Sequence, residues 1–212
     1  MAKIIAVTEA IKSLAEAEAR FNLTRNEDED FFTEWQTQLP LPNDSEQIAL
    51  DTLRRRLLYH RADGELLEGA VTLLVASPLL KLAGFYDPPF KMKAEAAVEI
   101  AIDDGEEILR GRIDILILHA RLWVMILECK KTAISTRSAL PQALAYMMAN
   151  PDLEKPRFGM LTNGDDVLFV KLEARSRPQY RLSRALSIYT VPSELRSAFQ
   201  VLKHLGQTII NI

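Results

Sequence analysis

The sequence predicts an α/β fold: a mixed sheet carrying helices, in the order helix, three strands, helix, strand, with a helical extension ahead of it. Three features predict it. Residues 95–102, 108–118 and 122–130 carry strand patterns in close succession. Helical patterns flank this run at 65–84 and 138–148. Apolar residues make up 48% of the 212, enough for a packed core where a disordered chain would fall short.

From Ile4 to Arg20 the chain is rich in Ala and Glu, with apolar residues recurring every three or four positions, and reads as an amphipathic helix. The acidic run Asn26 to Asp30 interrupts it, and Leu39-Pro40-Leu41-Pro42-Asn43-Asp44 reads as a loop. Asp44 or Ser45 caps a second helix through Leu50, Leu53 and Leu57 to about His60, and Ala62-Asp63-Gly64 ends it. Residues 1–62 are thus expected as a helical extension. Such helices serve either as an arm for homo-oligomerisation or as a cover over one side of the domain at 63–212.

Glu65 to about Gly84 is expected as a helix that Pro78 kinks or splits. Asp87-Pro88-Pro89 is a break. Glu95 to Ile102 alternates, with Ala96, Val98, Ile100 and Ile102 on one face and Glu95 and Glu99 on the other, as a half-buried strand does. Asp103-Asp104-Gly105 is a turn signal. Ile108 to Leu118 and Leu122 to Lys130 are apolar at nearly every position and so central in a sheet. Between them, His119-Ala120-Arg121 allows only a hairpin turn. Ser138 to Met148 reads as a helix ending near Asn150-Pro151. Two short strands, Phe158–Thr162 and Val167–Leu172, flank the turn Asn163-Gly164-Asp165. Tyr180 to Tyr189 adds an edge strand, and Ser193 to about Ile209 is a closing amphipathic helix.

Composition excludes several classes. With Cys129 as the single cysteine, neither an intrachain disulfide nor a Cys-rich zinc site can form. The apolar stretch at the amino terminus is too short for a signal peptide, and no run approaches a transmembrane span. A soluble cytoplasmic protein with no membrane partner is expected. The net charge of −3 argues against a chain that seeks polyanions over its whole surface. It leaves a nuclease open, because metal-binding carboxylates add negative charge and phosphate contacts can be local.

The chemistry concentrates at the hairpin. Side chains alternate along a strand, so Glu128 and Lys130 share a face and Cys129 takes the other. With a three-residue turn at His119–Arg121, Asp114 is expected across from Glu128, their Cβ atoms about 5 Å apart. Two carboxylates on apolar strands repel unless a proton or cation lies between them. Mg²⁺, with Mn²⁺ as its substitute, needs only a couple of carboxylates beside water and substrate phosphate, and the Cys129 carbonyl offers one more oxygen. Lys130 would orient the attacking water and stabilise charge on phosphate. The competing structural reading is a surface ion pair of Glu128 and Lys130 at a strand end, with Asp114 capping nearby.

Gly111-Arg112-Ile113-Asp114 followed by Leu127-Glu128-Cys129-Lys130 resembles the PD-(D/E)xK superfamily, with Ile113 where that motif has Pro. More closely, the chain resembles the N-terminal nuclease domain of type I restriction enzyme R subunits. Gln142 and Tyr146 are similar to the Gln-x-x-x-Tyr element of RecB-like nucleases, and Leu161-Thr162-Asn163-Gly164 to a Thr-Asn-Gly turn of the family. Glu68, with Ser77-Pro78-Leu79-Leu80 and Ala83-Gly84-Phe85 after it, looks like the family's first helix. The resemblance spans roughly 64–172. It implies a restriction-endonuclease-like fold and a Mg²⁺-dependent nuclease of restriction-modification systems acting on DNA. Glu68, Asp114 and Glu128 would hold metal, Lys130 would position water, and Gln142 with Tyr146 would order phosphate or the lysine. Lys131, Arg112 and Arg137 are candidate phosphate contacts, while His60, His119 and His204 show no metal spacing. No Gly-x-x-x-x-Gly-Lys-(Ser/Thr) loop is present, so the expectation is the nuclease domain alone, with any motor or specificity subunit as a partner. The alternative is a non-catalytic protein that keeps the fold and binds nucleic acid or protein.

Overall fold

The computed structural model describes residues 3–102, 106–119, 122–150, 152, 154–174 and 177–211. A mixed sheet runs through the molecule in the order β1-β4-β5-β6-β7-β8-β2, with β3 pairing β4 and β9 pairing β7. The strands are β1 (Lys3–Ala6), β2 (Thr24–Arg25), β3 (Phe90–Ile102), β4 (Glu107–His119), β5 (Leu122–Cys129), β6 (Arg157–Thr162), β7 (Asp166–Glu173), β8 (Gln179–Leu182) and β9 (Leu186–Ser187). The helices are α1 (Val7–Ala10), α2 (Leu14–Phe21), α3 (Asp44–Arg61), α4 (Glu68–Val71), α5 (Ser77–Leu82), α6 (Leu140–Met148) and α7 (Pro192–Ile210). One core cluster joins α3, α4, α5 and α7 to one sheet face, and a second joins α1, α2 and α6 to the other. The expected order of helix, three antiparallel strands, helix and strand is present, and a mixed α/β fold is formed.

The amino-terminal stretch differs from the amphipathic helix expected over 4–20. Ile4 and Ile5 lie in β1, which pairs in parallel with β4 from Lys3↔Glu107 to Ala6↔Arg110. Such β-branched residues favour a pleated surface when a partner strand is at hand. One helical turn, α1, follows the strand, and the longer α2 starts only after Ser13, whose side chain accepts from the Glu16 amide in a capping box. The second helix begins where Asn43 and Glu46 form another capping box, one residue ahead of the expected caps. Residues 1–62 thus supply β1 and β2 as well as helices. Ala17 of α2 and Leu50, Leu53 and Leu57 of α3 are buried in the two clusters.

Pro78 splits its helix as expected, and the split has a form. Between α4 and α5 the backbone widens to a π turn over Thr72–Ala76. Proline lacks the N–H that would bond the carbonyl four residues back, and a widened turn absorbs the mismatch. The helix also starts at Glu68, not Glu65. Downstream, the helix, hairpin and closing helix fall within a few residues of their expected bounds, while the 180–189 edge is broken into β8 and β9. Asp103-Asp104-Gly105, Ala120, Arg121 and Pro151 lie outside the described residues.

Two irregularities shape the centre. The β4–β5 hairpin pairs His119 with Leu122, so the turn is tighter than three residues. A register shift between Ile117 and Leu118 then brings Ile115 opposite Leu127. The next residues along are Asp114 and Glu128. The second irregularity is a gap. β3 lines one edge of β4 throughout, so β1 and β5 share the other edge; β1 stops at Arg110 and β5 pairs from Ile115. Among the described residues, 111–114 therefore have no strand partner on that edge.

Candidate active site

At this gap the side-chain alternation of β4 changes phase. Leu109 and Ile113 pack in the α6 cluster, whereas Ile115 and Ile117 pack in the opposite one. Across from Asp114, Glu95 of β3 takes a left-handed backbone, φ 48°, unusual for a residue with a side chain. This twist turns Asp114 toward the end of β5. Its Oδ2 accepts from the Cys129 amide at 2.7 Å.

Glu128 is wholly buried, and among the described residues neither carboxylate oxygen has a hydrogen-bond partner. A charge so placed costs several kcal/mol, on the order expected for an unpaired buried ion. Burial, then the Asp114 charge, pushes its carboxyl well above the usual range; Lys130 opposes the shift. The Asp114 amide eases the charge slightly without making a hydrogen bond of normal geometry. Asp114 is also pushed up, chiefly by burial and against the Cys129 amide bond, with Glu68 and Glu95 adding to it.

Lys130 follows β5 directly, its amide bonded to the Thr162 carbonyl at 2.8 Å. Its ammonium donates to Gln142 Oε1 at 3.4 Å and lies 3.9 Å from Glu68 Oε1. The lysine contact fixes the amide orientation of Gln142, whose Nε2 then donates to the Tyr146 hydroxyl at 2.9 Å. That hydroxyl also accepts from the Arg112 amide at 3.2 Å, a donor left over in the strand gap. Gly111 is required here: a Cβ would fall 2.4 Å from the Tyr146 hydroxyl and 2.5 Å from its ring. One helical turn apart, Gln142 and Tyr146 share a face of α6.

Glu68 reaches the site from the other layer. Leu66 and Thr132 clasp each other: the Thr132 amide donates to the Leu66 carbonyl at 3.1 Å, and the Leu66 amide to Thr132 Oγ1 at 3.0 Å. That clasp ties the start of α4 to the segment after Lys130. The expected Thr-Asn-Gly turn braces the same segment, with Asn163 Nδ2 donating to the Ile134 carbonyl at 2.9 Å. Gly164 takes φ +88°, and a Cβ there would fall 3.2 Å from Val71.

Glu68, Asp114, Glu128, Lys130, Gln142 and Tyr146 are thus brought together by contacts or charge coupling at the end of β5. Cys129 contributes its backbone. Its thiol is buried in the cluster under α3 and α7, and burial pushes it up to about 12, which rules it out as a nucleophile at neutral pH. Sequence reasoning missed Glu95, which lines a cleft of about 480 Å³ with Glu68, Thr72, Tyr86 and Asp114. A glutamate on the polar face of a strand carries no signal of a left-handed backbone. Thr132 and Gly111 were missed as supports; a glycine inside a strand is a sign of close approach.

The donor set suits a hard cation. Both Glu128 oxygens lack partners, Asp114 is adjacent, and Glu68 borders the same cleft. Among the described residues, no three His, Cys, Asp or Glu side chains are grouped to hold an ion unaided. Mg²⁺ does not need such a cage, since it keeps waters and takes phosphate oxygens. Also among the described residues, no helix is long and apolar enough to cross a membrane.

A family model described as type I restriction enzyme R protein N terminus matches residues 9–177. That span reaches well ahead of the 64–172 expected from the motifs. Among solved structures, a fragment assigned to the HsdR subunit of a type I restriction enzyme from Vibrio vulnificus YJ016 is similar, at 20% identity and a TM-score of 0.42. The match covers 65% of this chain and 26% of that one, so this chain spans about a quarter of that protein's length. No curated protein matches the chain significantly.

Proposed function

From the premise that the chain belongs to the type I restriction enzyme R protein N-terminal family, we propose a Mg²⁺-dependent nuclease that hydrolyses DNA phosphodiester bonds. One observation carries the reading: a wholly buried glutamate, both oxygens unpartnered, set beside a second acid at the gap in the sheet. Protein interiors tolerate such a group where a cation or a reaction requires it.

Asp114 and Glu128 would hold the ion, with Glu68 and the Cys129 carbonyl bordering it; bound there, Mg²⁺ or Mn²⁺ supplies Lewis-acid polarisation and neutralises charge on phosphate. Lys130 positions the attacking water and donates to a phosphate oxygen as negative charge builds. Gln142 holds the lysine on station, and Tyr146 holds Gln142. DNA is the partner, in the cytoplasm, with a motor or specificity subunit directing the cut.

Purified protein should nick supercoiled DNA with Mg²⁺ or Mn²⁺, and Asp114→Asn or Lys130→Ala should abolish cleavage. In parallel, Mn²⁺ should bind in a titration that Asp114→Asn weakens by about tenfold or more, as loss of a charged ligand requires. Cleavage persisting in both variants removes the reading, and a non-catalytic scaffold would show neither cleavage nor Asp114-dependent Mn²⁺ binding.

A further inference from the structure

A groove of about 520 Å³ lies between α3 and the split helix, apart from the acids and the lysine of the candidate active site. Its lining is largely apolar: Ala49 and Leu53 from α3, Leu73 and Leu74 from the π turn, Pro78 and Leu82 from α5. Leu73 stands 72% exposed there. Ile48 and Tyr59, 67% and 72% exposed, lie one turn before and two turns after Thr52, a lining residue on α3. Apolar surface therefore runs on past the groove along that helix. Single exposed apolar side chains need no explanation, but a run of them beside a groove marks a surface that binds something.

The charges say what it binds. Arg56 on α3 and Lys81 on α5 put one cation on each wall, and no acid is among the lining residues. Among the described residues, neither side chain has a hydrogen bond or an ion pair. Arg54 and Arg61 of the same helix do have partners, the Tyr189 carbonyl and Asp165. The chain as a whole is acidic, at net −3, so this positive charge is a local feature.

A groove between helices suits another helix, laid with its apolar face inward. Cations on both walls call for acids on both flanks of that face. A fatty acid brings a single anionic end, and a bilayer surface is flat where this lining is concave. We propose that the groove docks an acidic amphipathic helix of a partner protein. Its apolar residues pack on Leu53, Leu73 and Leu82, and its carboxylates pair with Arg56 and Lys81. Leu73 also lines the cleft that holds Glu68 and Asp114, so the docked helix abuts that cleft at the π turn. Such docking needs neither metal nor DNA and is independent of the nuclease reading.

The test uses the full 212-residue chain and two fluorescein-labelled synthetic peptides, read by fluorescence anisotropy. The first, of about eighteen residues, carries leucines on one face at helical spacing and glutamates on both flanks. The second has lysine in place of every glutamate. The glutamate peptide should bind saturably in the micromolar range, and the lysine peptide about tenfold more weakly or worse. Leu73→Asp, at a side chain too exposed for folding to depend on it, should raise the Kd of the glutamate peptide by about tenfold or more. Arg56→Glu combined with Lys81→Glu should reverse the preference between the two peptides. No saturable binding, equal affinity for both peptides, an unchanged Kd in Leu73→Asp or an unreversed preference overturns the proposal. Two rival occupants are read without peptide, by sedimentation velocity and by flotation with vesicles of phosphatidylcholine and phosphatidylserine. A dimer or a bound vesicle that Leu73→Asp releases assigns the groove to a second copy or to a lipid surface, and overturns the proposal as well.

Discussion

Replacing Glu128 by Gln should stabilise the metal-free protein at alkaline pH and leave it no more stable at acid pH. The folded carboxyl is pushed well above its usual range, so between the unfolded and folded pKa values the native state holds a proton that the unfolded chain releases. Stability is therefore complete below the unfolded pKa and is lost as pH climbs through the folded one. Each unit of that window costs about 1.4 kcal/mol, or roughly 3–6 °C of melting temperature in a chain of this size. Gln keeps the shape but never ionises. Its amide also lacks partners, a cost independent of pH, so the informative quantity is how the melting difference between the two proteins changes from pH 5 to pH 8. Asp114 shifts in the same direction, yet it is present in both proteins and largely cancels. Differential scanning fluorimetry in EDTA should show the variant gaining on wild type by several degrees as pH rises. Saturating Mn²⁺ at pH 8 should then raise wild type by roughly 5–11 °C, the yield of about a hundredfold excess over Kd, and leave the variant nearly unmoved. A difference that is flat with pH would refute the premise that Glu128 is a buried, unpartnered acid in solution.

Two further outcomes follow from the supports of the site. Gly111→Ala places a methyl 2.4 Å from the buried Tyr146 hydroxyl, so it should cost about 1–3 kcal/mol and lower the melting temperature by roughly 2–12 °C; an unchanged melt would mean that the ring moves freely. Thr132→Val removes the acceptor for the buried Leu66 amide, costing about 1–3 kcal/mol and loosening the start of α4; Mn²⁺ affinity measured by calorimetry should fall with it, and equal affinity would show that Glu68 needs no such tether.

Local features of the site were legible because they need only strand or helix periodicity. Glu128 and Lys130 share a face by alternation, Gln142 and Tyr146 by helical spacing, and the Asp114 hairpin follows from a short turn between two apolar runs. Long-range features were not. Ile4 and Ile5 form a strand because β4, about a hundred residues on, presents an open edge; the same residues satisfy a helical period when read alone. The split helix was foreseen from Pro78, but the π turn that carries Val75 and Ala76 into the core has no mark in the helical periodicity. Glu95 looked like any solvent-facing strand residue, and nothing in the strand pattern signals its left-handed backbone.

The hairpin shows how narrowly the chemistry depends on register. If the His119↔Leu122 pairing ran on unshifted, Asp114 would stand level with Leu127, and side-chain alternation would set it apart from Glu128. The one-residue shift between Ile117 and Leu118 corrects this and brings the two acids level. β6 then fixes the other side of β5 by parallel pairing from Met125↔Phe158 to Cys129↔Thr162, so the strand cannot slide to relieve the repulsion. The protein thus holds Glu128 where its charge is unfavourable, beside the stretch of β4 at 111–114 that no strand among the described residues covers. A packed interior does not keep such an arrangement for stability, since an apolar residue at 128 would serve the core better. The cost is explained if the charge is balanced by a cation at the moment of reaction, and the open edge by the substrate that must reach it.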